Sequence, residues 1–139
     1  MVANMFELHP QLAKDCVEVG DFPLSKVLLL NDSNYPWIIL VPRREGIQEI
    51  FQLSEEDQRQ LLAESSSLSA AMAAQFHADK MNVAALGNRV PQLHIHHIVR
   101  FKNDASWPSP VWGAVAAKPY NKTELDDLLG VFRSILGLG

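Results

Sequence analysis

The sequence predicts an α+β fold, a mainly antiparallel sheet of about five strands with one long central helix and a C-terminal helix. Three observations lead there. Five short runs, at 16–19, 25–30, 36–42, 82–86 and 92–100, are rich in β-branched and other apolar residues. The links Asn31-Asp32-Ser33-Asn34-Tyr35 and Gly87-Asn88-Arg89-Val90-Pro91 are far shorter than a parallel crossover needs, so the strands they join run antiparallel. Two other stretches carry apolar side chains on a helical period behind capping residues. A chain of 139 residues that is 47% apolar can bury one core, so residues 1–139 read as a single domain. Its core spans about 15–101, and a loop and helix follow over 102–139.

In chain order, Pro10 opens a short helix through Lys14, because a missing N–H is harmless in the first turn. Cys16-Val17-Glu18-Val19 alternates as a strand, and Gly20-Asp21-Phe22-Pro23 ends it in a turn. Residues 25–30 and 36–42 then form a hairpin. Ile47-Gln48-Glu49-Ile50-Phe51 reads as one helical turn. Ser54-Glu55-Glu56-Asp57 is an N-terminal capping signature, and the helix it starts runs to about Asp79. Leu61, Leu68, Met72 and Phe76 form the stripe that faces the core, while the small serines and alanines between them let the helix lie close to a sheet. None of those serines sits in a Gly-x-Ser-x-Gly context, so a serine hydrolase has no support. His77, near the helix end, is a favourable C-terminal cation.

Beyond the last strand, Trp107, Pro108, Pro110 and Trp112 lie in one rigid aromatic loop over 104–113. It closes the core, covers a functional site or meets a partner subunit. Thr123-Glu124-Leu125-Asp126 then caps a helix with Leu125, Leu128, Leu129, Phe132, Ile135 and Leu136 on one stripe, a packing helix or part of a dimer contact.

The chemistry concentrates in Gln92-Leu93-His94-Ile95-His96-His97-Ile98-Val99-Arg100. Successive strand residues point to opposite faces, so Gln92, His94, His96, Ile98 and Arg100 share one face and Leu93, Ile95, His97 and Val99 the other. Imidazole titrates near neutrality and its free nitrogen is a nucleophile or a ligand, so a row of imidazoles beside an amide suits chemistry better than packing. His97 points away from that row and reads as a packed or half-exposed sheet histidine. Just before the strand, Gly87, Asn88 and Arg89 offer a flexible glycine, an amide and a guanidinium that can pair bidentately with an anionic oxygen. Together these residues suggest a phosphate site next to the imidazoles.

This constellation resembles the histidine-triad superfamily, in its bacterial type, whose motif is His-φ-His-φ-His-φ-φ with φ apolar; Gln92 stands in place of the first histidine. The resemblance implies a HIT-like fold over roughly 15–101, a homodimer and no cofactor. It implies that His94 is the nucleophile that attacks an α-phosphorus and that His96 helps to hold the phosphate or the leaving group. Gly87-Asn88-Arg89-Val90 looks like the family's Gly-Gln-[Ser/Thr]-Val phosphate run, with Asn88 a shortened glutamine and Arg89 replacing a hydroxyl residue. Asn31 looks like the residue that binds the ribose hydroxyls, with Asp32 the register-shifted alternative. The end of the second hairpin strand, Val41-Pro42-Arg43-Arg44, is also similar to the family. The implied substrate is a purine nucleotide derivative, a nucleoside phosphoramidate or dinucleoside polyphosphate.

On this reading a neutral His94 forms a phospho-histidine that water hydrolyses, while His96, Asn88, Arg89 and backbone N–H groups stabilise the phosphoryl oxygens. Gln92 can donate and accept a hydrogen bond but cannot carry a proton. Two rivals remain. One is a non-catalytic nucleotide-binding module of the same fold, with Gln92 marking lost chemistry. The other makes His94, His96 and His97 metal ligands, for which no third ligand is evident in the sequence, so no metal is assigned. A net charge of −4 with scattered basic residues leaves no footprint for nucleic acid. No apolar run suits a membrane or signal segment, and the lone Cys16 excludes an internal disulfide and reads as a small buried side chain. A cytoplasmic location is the expectation.

Overall fold

Every strand pair in the computed structural model, which describes residues 5–139, is antiparallel. The strands are β1 (Cys16–Asp21), β2 (Ser25–Leu30), β3 (Trp37–Pro42), β4 (Lys80–Ala84) and β5 (Ile95–Arg100), and the helices are α1 (Pro10–Asp15), α2 (Glu55–Phe76) and α3 (Lys122–Leu136). The sheet order is β1-β2-β3-β5-β4. Short links make β1, β2 and β3 sequential neighbours. The long α2 connection carries the chain past the growing sheet, so that β5 folds back into the gap between β3 and β4. The histidine strand thereby becomes interior, paired to β3 through Ile39 and His96 and to β4 through Ala84 and His96.

Each face of the sheet has its own cover. On one, Val27, Leu29, Ile38, Leu40 and Val99 meet Leu68 and Met72 of α2 and Leu129 and Phe132 of α3. On the other, Leu28, Trp37, Ile39, Val41 and Ile98 pack with Leu12 of α1, Tyr35 and Val111. All six residues of β3 and all six of β5 are buried, as strands covered on both faces must be. Each such aliphatic side chain contributes about 1.5–3 kcal/mol by leaving water.

Polar groups anchor both layers. Glu64 of α2 is buried and accepts hydrogen bonds from Leu24 N (2.8 Å), Ser25 N (3.1 Å) and Gln60 Nε2 (2.9 Å), tying the helix to the start of β2. On the opposite face Arg100 ends β5 beneath the loop 104–113. Its guanidinium donates to Asp104 through Nε (2.8 Å) and Nη2 (3.1 Å), to Asn82 Oδ1 (2.9 Å) and to Ser109 O (2.9 Å), and lies against the Tyr35 and Trp107 rings. The hydrogen bonds from Arg100 hold the Asp104 carboxyl well below the usual carboxylate range. This buried pair straps the aromatic loop across the sheet, where Val111 joins the core.

Several boundaries differ from those read in the sequence. β1 continues through Gly20 and Asp21, because a bulge between Glu18 and Gly20 absorbs the irregular register and moves the turn to residues 22–24. A Cβ at Gly20 would lie 3.2 Å from Leu138, so the close approach of the C-terminus explains that glycine. β5 starts at Ile95 rather than Gln92, and β4 runs over Lys80–Ala84 rather than 82–86. The helical turn near residue 50 is a 3-10 turn over Ile50–Gln52. α2 stops at Phe76, with His77 in the left-handed conformation (φ 54°) as its C-cap. The N-cap of α3 is Asn121, in a reciprocal capping box with Glu124, and not Thr123. α3 itself is a packing helix, since Leu129 and Phe132 are buried against the sheet.

Candidate functional site

His94 immediately precedes β5 and His96 is its second residue, and strand alternation puts both rings on the face opposite α2. The rings meet edge to face, their centroids 5.0 Å apart. Each is 7% exposed, which leaves an opening but little water.

What distinguishes the two rings is where their protons go. His94 Nδ1 lies 2.7 Å from the Gln92 carbonyl oxygen, which can only accept, so Nδ1 carries the hydrogen. A neutral ring with its proton on Nδ1 has its lone pair on Nε2. That nitrogen has no hydrogen-bond partner among the described residues and is not sealed from solvent. His96 is the reverse case. The indole N–H of Trp37, which can only donate, points at His96 Nδ1 from 3.0 Å, so the proton of the neutral ring sits on Nε2. Burial, followed by the neighbouring His94 and His97, lowers the His96 pKa to about 3. At neutral pH it is therefore an uncharged hydrogen-bond donor. The site thus combines one free imidazole lone pair with one N–H donor.

Aromatic walls complete this face. Trp112 packs edge-on to His96 at 5.2 Å and to Trp37 at 5.9 Å, and is 38% exposed. Of the roles read from the sequence, the aromatic loop closes the core through Val111 and flanks the histidines through Trp112. A small cleft beside His94 is lined by Gln48, Glu49, Leu86, Gly87 and Leu93. Gly87 turns there at φ 69°, a conformation that suits glycine.

The other sequence-predicted residues fall at differing distances from this pair. Gln92 takes part through its backbone, because its side-chain amide is engaged elsewhere. Oε1 accepts from His9 N at 2.8 Å and Nε2 donates to Glu7 O at 2.8 Å, stapling the N-terminal segment to the approach of β5. Asn88 and Arg89 are exposed on the Gly87 turn without hydrogen-bond partners among the described residues. Asn31 lies past the end of β2, roughly 10 Å along the strands and two strand spacings across from His96. Its Oδ1 accepts from Tyr120 N at 2.9 Å. Asp32 is buried, its Oδ1 accepting from Asn34 N (3.0 Å) and Lys118 N (3.2 Å). His97 faces α2 fully buried, with Nδ1 donating to Ile95 O (3.0 Å) and Nε2 accepting from Ser65 Oγ (2.7 Å). Among the described residues no group of three His, Cys, Asp or Glu side chains could hold a metal ion. Cys16 is half-buried, and burial with the nearby Asp15 pushes its thiol up to about 12.

A family model of the HIT domain matches residues 11–103. The chain belongs to the histidine triad family. Among solved structures it is similar to a histidine triad protein from Marinobacter aquaeolei VT8, at 50% identity over 96% of this chain and 98% of that one, with a TM-score of 0.94. A histidine triad protein from Bradyrhizobium japonicum is 46% identical over 93% of this chain and 96% of the other, with a TM-score of 0.91. One from Sinorhizobium meliloti 1021 is 38% identical over 94% and 96%, also with a TM-score of 0.91. No curated protein matches. Histidine triad proteins are generally nucleotide-binding hydrolases or transferases, and the five-stranded antiparallel sheet with three helices is the fold they share. The parts of this histidine triad site that the sequence did not yield are Trp37 and the Gln92 carbonyl. Trp37 carried a usable signal, an indole at the start of a strand that is otherwise wholly aliphatic up to its terminal proline.

Proposed function

We propose that this histidine triad protein hydrolyses or transfers a nucleotidyl group by attack of His94 Nε2 on the α-phosphorus of a purine nucleoside phosphoramidate or dinucleoside polyphosphate. The observation that carries the reading is the hydrogen bond from His94 Nδ1 to Gln92 O, which leaves Nε2 unprotonated and without a partner among the described residues. In the first step the Nε2–P bond forms and the bond from phosphorus to the leaving nitrogen or oxygen breaks. The electron pair departs with the leaving group, which takes a proton from solvent. In the second step water attacks phosphorus, the N–P pair returns to His94, and the water gives up a proton to solvent.

His96 acts as a neutral donor to a phosphoryl oxygen, with Asn88 and Arg89 on the adjoining turn able to swing onto the phosphate. Gln92 contributes the carbonyl that orients His94. Asn31, or Asp32 beside it, holds the ribose hydroxyls once the 118–120 segment releases their acceptors.

The enzyme acts as a homodimer in the cytoplasm. Among the described residues the outer edge of β4 is unpaired, and next to it the exposed Val83, Leu62 and Ile50 line an apolar groove of about 600 Å³. A patch of this kind at a sheet edge suits association with a second copy. Incubation with a panel of nucleoside phosphoramidates and dinucleoside polyphosphates tests the activity. Turnover by the wild type that His94→Ala abolishes while AMP still binds supports the enzyme. AMP binding without turnover of any member supports the non-catalytic module instead.

A further inference from the structure

We infer that Trp37 is a positioning residue for the site, one that fixes His96 as the tautomer bearing its proton on Nε2. The inference rests on the nucleotidyl-transfer reading for its kinetic consequence, but not for its structural one.

Trp37 begins β3 and His96 lies on the neighbouring β5, opposite Ile39. The two side chains are thus diagonal neighbours on one face, within reach of each other across the ladder. The contact is directional: indole Nε1–H donates, has no lone pair to offer, and lies 3.0 Å from His96 Nδ1. If His96 moved its proton to Nδ1, or gained a second one there, two N–H groups would face each other in a buried place. The indole therefore selects against both the other neutral tautomer and the imidazolium. The ring is also held against rotation, packed edge-on to Trp37 at 5.6 Å, Trp112 at 5.2 Å and His94 at 5.0 Å.

The consequence is a division of labour between two chemically identical side chains. A carbonyl beside His94 and an N–H beside His96 impose opposite tautomers on them, so one Nε2 presents a lone pair and the other a hydrogen. Attack on a phosphorus whose oxygens gain charge needs one of each. Two rings with free tautomers would present the required pair only part of the time. Tryptophan suits the post because its N–H neither titrates nor reverses into an acceptor.

The test is a single-atom change read by spectroscopy and by kinetics. Trp37→Phe removes the N–H while keeping a ring. Site-specific replacement of Trp37 by benzothienylalanine, in which sulfur stands for the N–H, preserves the shape if the phenylalanine variant packs poorly. Imidazole ¹⁵N spectra of histidine-labelled protein report the tautomer of His96 directly. The wild type should show His96 protonated at Nε2 alone, and either variant should show a mixture or the Nδ1–H form. With an adenosine phosphoramidate as substrate, kcat should fall about tenfold with KM little changed, short of the hundredfold or more expected for deleting a transition-state donor outright. A His96 spectrum that is the same in the wild type and both variants would overturn the inference, as would a wild type protonated at Nδ1. If the wild type turns over no nucleotide substrate, the hydrolase reading fails on its own, and the spectra still decide what Trp37 does.

Discussion

His96 and His97 are adjacent in the chain, both buried, and both hindered from taking a proton, yet they lie on opposite faces of β5 and serve different ends. Burial chiefly lowers His96 to about 3 and His97 to about 4. Both His97 nitrogens are satisfied by protein, Nδ1 by the Ile95 carbonyl and Nε2 by Ser65 of α2. His96 has one nitrogen bound by Trp37 and the other without a partner among the described residues, and His94 beside it likewise has a single nitrogen engaged. A buried histidine with both nitrogens engaged is a strut, whereas one with a single nitrogen engaged is oriented and still able to react. What separates the two faces of the sheet is the hydrogen-bonding capacity left over.

The comparison breaks most completely at His94. His94→Ala should lower turnover of a nucleoside phosphoramidate by roughly 10⁴-fold or more, measured by product release, with the thermal midpoint nearly unchanged. If His97→Ala cost as much activity at equal stability, the division between the faces would be wrong. Next in size is the strap under the aromatic loop. The Arg100 and Asp104 side chains are 2% and 3% exposed, so Asp104→Ala leaves a buried guanidinium uncompensated and should cost about 3 kcal/mol or more in urea unfolding. Because the folded carboxyl is held below its ordinary value, the pair's stabilisation is complete above pH 4 or so and drains away only at more acid pH. Smaller again is Ser65→Ala, which removes the donor to His97 Nε2 and should cost about 1–2 kcal/mol without changing catalysis.

Over the single unit between pH 7 and 6, the smallest effect is the pH-dependent loss from each of the two buried rings. Each is neutral when folded but gains a proton near 6.5 when unfolded, so the unfolded state binds more protons below that pH and stability falls as the solution is acidified. The decline runs from about pH 6.5 down to about 4 for His97 and to about 3 for His96. Between pH 7 and 6 it amounts to roughly 0.7 kcal/mol for each ring. Replacing His97 with phenylalanine should remove about one half of that slope in urea titrations across the window.

Much of this comparison was legible in the chain. Alternation about Ile95 placed His94 and His96 on one face and His97 on the other, and short polar links implied the antiparallel pairing that the sheet shows. What could not be read was whatever depends on contacts between distant segments. The Gln92 amide meets Glu7 and His9, more than 80 residues away, and no local pattern announces that pairing. Its role at His94 passes instead through a carbonyl, which every residue possesses. Trp37 requires the β3–β5 register, set only when α2 returns the chain to the sheet. The edges of elements slipped where local chemistry competes: Asn121 outdid Thr123 as a cap because Glu124 sits three residues beyond it, closing the reciprocal box. The left-handed His77 ended α2 at Phe76, the last residue of its apolar stripe, short of the boundary read near Asp79.

The claim on which the rest depends is that His94 Nε2 becomes bonded to phosphorus during turnover. Rapid acid-free quenching of the protein with an excess of adenosine phosphoramidate, followed by peptide mapping in the mass spectrometer at neutral to alkaline pH, tests it most directly. An adenylyl group on the peptide containing residue 94, absent in His94→Ala and formed as fast as the amine is released, is the predicted result. Full turnover with no adduct at any quench time, or an adduct carried by His96 or His97, would contradict the account.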